Sequence, residues 1–135
     1  MSTGLDTSVV LRLLVGEPED QARRALAEVE TLMRRGSTLL VSDLVVSEVY
    51  YALQYHYRVP KVEALSLLKH FFGASGIKAS GGAMGVLATP SLATAKPGFV
   101  DRLIHADYAL STREVLTFEQ AAGRLQGVRV LKPET

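Results

Sequence analysis

The chain predicts an α/β fold in which a mainly parallel sheet is covered by helices on both faces. Three observations carry the prediction. Strand-length apolar runs alternate with helix-length periodic segments from end to end. Acidic residues recur where such a run hands over to a helix, the edge of a parallel sheet at which sites form. A length of 135 residues suits one domain spanning 1–135, with one substantial core.

The elements follow in order. MSTGL offers one strongly apolar residue beside the initial Met, so the first strand is expected to be short. After Asp6, Val9, Val10, Leu13 and Leu14 fall at helical spacing, and Gly16 with Pro18 closes the helix. From Glu19 to Arg35 the acids come early, Arg34 and Arg35 come late, and Gly36 follows, which is the charge order and terminal glycine of a helix. Thr38 to Val41 is a brief apolar strand, and Ser42 or Asp43 can cap a helix from Leu44 to about Tyr57. Pro60 fits the first turn of the next helix, which runs through Ala64, Leu65, Leu68 and Phe71 to near Gly73.

Gly76 to Gly82 holds one short strand. The stretch from Gly73 to Gly98 is rich in small residues yet keeps Met84, Val86 and Leu87, and it reads as a loop with one short helix. Phe99, Leu103, Ile104 and Leu110 then form an apolar helical stripe with Asp101 in its first turn. Glu114 to Thr117 predicts a strand, Phe118 to Leu125 a short helix, and Val128 to Leu131 a final strand.

Composition narrows the chemistry. The chain has no cysteine, which excludes thiol catalysis and thiolate zinc sites and points to a reducing, cytoplasmic compartment. No run reaches the roughly 18 to 20 apolar residues of a membrane span, so no membrane association is expected. A formal net charge of +1 neither demands nor forbids a nucleic-acid partner. Phosphate-binding glycine loops and a nucleophile elbow are both missing from the sequence.

Oxygen-ligated metals remain, and four carboxylates stand out: Asp6, Glu48, Asp101 and Glu119. Around Glu48 the same-face positions are Leu44, Val45, Tyr51 and Ala52, so Glu48 is expected to be withdrawn from water. Converging acids in a partly dry site need a cation, here Mg²⁺ or Mn²⁺. Taken singly, Asp6 and Glu119 also read as helix caps, and Asp101 as an acid favoured by its helix dipole. His56, His70 and His105 lack a shared metal spacing, although His105 lies one turn after Asp101. Asp43 reads as a cap and Asp107 as a solvated helix acid. Tyr50, Tyr51, Tyr55 and Tyr57 circle their helix too widely to be all core, and such residues favour interfaces. Arg12, Arg34, Arg35, Arg102 and Arg113 are candidates for phosphate contacts.

The runs LDTSVVLRLL, VSDLVVSEVYYAL, GFVDRLIHADYAL and VLTFEQAAGRLQGVRVL together resemble the PIN-domain ribonucleases, most of all the VapC-like toxins of bacterial toxin–antitoxin pairs. The resemblance spans essentially the whole chain. It implies a three-layer α/β/α sandwich and a metal-dependent endoribonuclease that leaves a 5′-phosphate. It also implies a homodimer and a small antitoxin protein that blocks the site. Asp6, Glu48 and Asp101 match the family's metal ligands. The family's fourth acid, usually an aspartate after a Thr-Phe pair, is here Glu119 after Thr117 and Phe118, a carboxylate on a longer arm. On this reading Asp6, Glu48 and Asp101 bind the main ion and Glu119 supports a second. Thr7, Ser8 and Thr117 then hold ligands or phosphate by hydrogen bonds. Two alternatives stay open: a catalytically weak relative that binds RNA or protein, and a phosphohydrolase acting on small molecules. The latter is disfavoured because Asp6 is followed two residues later by Ser8 and not by a second aspartate.

Overall fold

The computed structural model describes residues 1–134. Three strands form a parallel sheet: β1 (Ser2–Gly4), β2 (Thr38–Val41) and β3 (Lys78–Ala79), with β2 in the middle. Ser2 pairs with Thr38 and Gly4 with Leu40 on one side, and Leu40 with Lys78 and Val41 with Ala79 on the other. Six helices surround the strands: α1 (Thr7–Val15), α2 (Glu19–Arg34), α3 (Asp43–Tyr55), α4 (Lys61–Ala74), α5 (Ala83–Leu87) and α6 (Phe99–Ala109). The arrangement is the three-layer α/β/α sandwich that the alternating pattern predicts.

Local chemistry accounts for the element ends. Gly16 closes α1 in a left-handed conformation at φ 79°, and its N–H donates to the Arg12 carbonyl. Ser42 Oγ accepts from the Val45 N–H and caps α3, which leaves Asp43 as the first helical residue and not the cap. Pro60 precedes α4 in an extended conformation instead of occupying its first turn. The 73–98 stretch contains α5 and also a 3-10 turn over Leu92–Thr94.

The core is continuous. Leu39 and Val41 point from β2 into it at 1% and 0% exposure. Val46, Val49, Tyr50 and Leu53 enter from α3, Leu68 from α4, Ile77 from the lead into β3, and Phe99 and Leu103 from α6. Each fully buried aliphatic contributes about 1.5–3 kcal/mol of apolar burial.

The C-terminal strands stand apart. β4 (Val115–Thr117) and β5 (Val128–Val130) pair in parallel with each other, and among the described residues neither joins β1–β3. Parallel pairing therefore holds throughout, but the strands divide into sheets of three and two. β1 presents only Ser, Thr and Gly, and β4 exposes Leu116, so apolar burial does little to hold those two edges together. Between β4 and β5, the expected helix over 118–125 is a 3-10 turn, Gln120–Arg124. The Glu119 N–H donates to Thr117 Oγ1 at 3.0 Å, and the chain stays extended through 119, so the turn begins only at Gln120.

Candidate active site

α3 has two faces, and their division decides where Glu48 points. The buried stripe is Val46, Val49, Tyr50 and Leu53, the spacing of a core-facing helix. Leu44, Glu48, Tyr51 and Tyr55, spaced by four, three and four, form a stripe on another side. Leu44 is 81% exposed and Tyr51 45%. Glu48 therefore lies in the open, contrary to the withdrawal expected from its apolar neighbours, because Leu44 and Tyr51, which share its stripe, are themselves exposed while Val45 and Ala52 turn toward the core. Among the described residues no charged side chain is fully buried.

What engages Glu48 is α1. Thr7 Oγ1 donates a 2.6 Å hydrogen bond to Glu48 Oε1, joining residues 41 positions apart and bringing the Glu48 carboxylate to the residue next to Asp6. Asp6 occupies the N-cap position of α1 in an extended conformation, yet its side chain makes no capping bond. The carboxylate is thus not consumed by the structural task that would most simply explain it.

Asp101 stands in the first turn of α6, where Gly98 precedes the helix. It lines a groove of about 220 Å³ together with Tyr50, Tyr51, Gln54, Tyr55 and Lys61. The edge of the Tyr50 ring packs against Phe99, with centroids 5.0 Å apart and planes at 71°, and this contact joins α3 to the start of α6. Burial pushes the Tyr50 hydroxyl above its ordinary pKa, in keeping with a core role. Glu119 lies on the β4–β5 unit, exposed, with Thr117 holding its backbone.

The fold thus brings Glu48 to Thr7, next to Asp6, and carries Asp101 on the helix that packs beside α3, while Glu119 stands on a separate sheet. Among the described residues no three Asp, Glu or His side chains gather into a cation-binding group. The donors nevertheless fit a hard divalent cation in their chemistry: all four are solvent-accessible carboxylates.

The other candidates resolve into ordinary roles. Ser8 is exposed at a cleft between α1 and α2 that also holds Arg12 and Arg24, and Arg12 Nε donates to Gln21 Oε1 at 2.6 Å. Arg102 Nε is tied to the Pro97 carbonyl at 2.7 Å, so it braces the loop before α6. Arg34 donates to Thr31 Oγ1. His105 faces a cleft toward the β4–β5 unit, lined also by Thr112, Arg113 and Glu114, and Asp101 is not part of that lining. His56 and His70 are exposed.

One side chain with a larger part than expected is Asp43. Its Oδ2 accepts from the Gly82 N–H at 3.2 Å, and a Cβ on Gly81 would collide with the carboxylate. The only hint in the sequence is the Gly81–Gly82 pair, which permits so close an approach.

In comparison with known families, residues 5–72 match the PIN domain, a segment that contains Asp6, Thr7 and Glu48. No curated protein and no solved structure matches the chain. None of the described helices is long and apolar enough to cross a membrane. The match covers about half of the 135 residues and agrees with the parallel α/β/α architecture, and on these grounds the chain belongs to the PIN domain family, a nuclease-type fold.

Proposed function

We propose that the protein is a divalent-metal-dependent endoribonuclease, the toxin of a VapC-like toxin–antitoxin pair. It would act in the cytoplasm as a homodimer and be restrained by a small antitoxin protein. The observation that carries the reading is the Thr7–Glu48 hydrogen bond inside the family-matched segment, which joins the helix opened by Asp6 to the helix bearing Glu48. Asp6, Glu48 and Asp101 would hold Mg²⁺ or Mn²⁺, and Glu119 would support a second ion.

A bound ion of this kind lowers the pKa of water and offsets charge on the phosphate. The chain's own residues do the positioning. Thr7 fixes one oxygen of Glu48, so the other oxygen remains for a ligand role. Asp6, free of capping, offers both of its oxygens. Ser8 is exposed beside Arg12 and can donate to a phosphate oxygen, and Thr117 steadies the backbone that carries Glu119.

The test is sequencing of new 5′-phosphate ends after cellular RNA is incubated with the protein and Mn²⁺, beside a chelator control and Asp6→Asn. Discrete ends lost in both controls support the reading, and ends that persist in Asp6→Asn exclude this site. A second reading, an RNA- or protein-binding module with weak or no cleavage, is favoured by the place of Glu119 on a sheet whose strands pair only with each other.

A further inference from the structure

The groove beside Asp101 carries a feature that cleavage chemistry leaves unused. Tyr55 is 78% exposed and Tyr51 45%, although rings of this size are normally buried for their large apolar area. Their centroids are 6.1 Å apart and their planes tilt by only 26°, so the two rings present nearly parallel surfaces. Tyr50, the third tyrosine of the groove, is 6% exposed and locked onto Phe99, which gives the exposed pair a rigid floor. Lys61 supplies a cation to the same groove, and Gln54 a hydrogen-bonding amide.

Position along the helix links this pair to the acid. Tyr51 and Tyr55 follow Glu48 on one face of α3, about 4.5 Å and about 10.5 Å along its axis. A stacked nucleic-acid strand rises about 3.4 Å per nucleotide, so the stripe spans about three nucleotides from Glu48. Resting on the nuclease reading above, we propose that Tyr51 and Tyr55 form a stacking platform for unpaired bases next to the cleaved phosphate, with Lys61 meeting the strand's backbone. Every base has a face to stack, whereas a paired base presents only its edges in a groove, so the platform selects single-stranded RNA. The parallel rings and the single lysine lining this groove suit a stacked base and its phosphate better than an apolar partner helix, which would want aliphatic knobs and holes.

The test measures fluorescence anisotropy of a labelled single-stranded oligoribonucleotide, in chelator so that the strand stays intact, for the full chain and for Tyr51→Ala, Tyr55→Ala, Tyr55→Phe and Lys61→Ala. Each alanine variant of tyrosine is expected to weaken binding about tenfold or more, while Tyr55→Phe, which keeps the ring, binds nearly as the parent does. Lys61→Ala should reduce the salt slope by about 0.7. The same sequence as a duplex should bind more weakly and be indifferent to the tyrosine changes.

Unchanged single-strand binding by both alanine variants overturns the proposal, as does a parent protein that binds no single strand. Loss of a dimer in Tyr51→Ala or Tyr55→Ala, by light scattering, with RNA binding intact would instead assign the face to a second copy of the chain. The platform and the nuclease reading fail separately. Tyrosine-dependent binding without Mn²⁺-dependent cleavage removes only the nuclease. Cleavage whose sites and rate ignore both tyrosines, with binding unchanged, removes only the platform.

Discussion

The Thr7 hydroxyl donates to the Glu48 carboxylate at 2.6 Å, the one direct polar link between the start of α1 and the acid of α3 among the described residues. Both partners are open to water, so the bond contributes about 1 kcal/mol or less to stability. Thr7→Val keeps the shape and removes the donor, and it should shift the denaturation midpoint only slightly. Under the proposed function it should lower kcat/KM by several-fold or more, because Glu48 loses its orientation, and Thr7→Ser should restore most of the rate. A kinetic series beside urea melts reads both effects.

Gly81 and Asp43 should behave as one unit. Gly81→Ala drives a methyl group into the Asp43 carboxylate, and it is expected to destabilise by about 1–3 kcal/mol. Asp43→Ala removes the acceptor of the Gly82 N–H but also clears the space. The double variant should then be more stable than the sum of the two single losses, by about 0.5–3 kcal/mol. Additivity in a double-mutant cycle would show that the close approach does not constrain the loop.

Leu68 is fully buried in α4, whereas Leu116 is 54% exposed on β4. Leu68→Ala should cost about 2–5 kcal/mol, the range for a large core side chain cut to a methyl. Leu116→Ala should cost under about 1 kcal/mol, as for surface substitutions. Chemical denaturation of the two variants under one condition checks the contrast.

The β4–β5 pair carries an acid-sensitive link. Arg129 donates to both oxygens of Glu114, at 3.1 Å from Nε and 3.2 Å from its terminal nitrogen, and holds the carboxyl below its ordinary value of 4.5. A carboxyl whose pKa is lowered by folding stabilises the fold above that ordinary value, and its contribution fades as pH falls through the lowered one. Both side chains are exposed, so the effect should be small and weaken with salt. The protection of the β4 amides, taken as exchange rate corrected for the intrinsic pH dependence of amide exchange, should fall slightly on acidification past pH 4.5, and Glu114→Gln should remove that dependence.

Much of the architecture was legible because it rests on local rules. The bounds of β2 at Thr38–Val41 agree with the apolar run, and α2 ends at Arg34, the first residue of the predicted basic pair. The Ser42 cap, the Gly16 stop and the short first strand likewise follow from neighbouring residues. The exposure of Glu48 was less legible. A periodic pattern shows that α3 has more than one apolar side but not which side meets the core, and the core took Val46, Val49, Tyr50 and Leu53.

The sequence by itself determined the alternating parallel architecture, the ends of α1 and α2 and the identity of the four carboxylates, because propensity, capping and periodicity act over a few residues. Only the tertiary structure decided that Thr7 reaches Glu48, that Asp43 grips the Gly81–Gly82 loop, and that Tyr51 and Tyr55 line the groove of Asp101. It also decided that β4 and β5 form a sheet of their own. Those relationships join segments about 40 or more residues apart, or turn on the edge of a strand. They depend on how helices rotate and strands choose partners once the core closes, which local pattern does not specify.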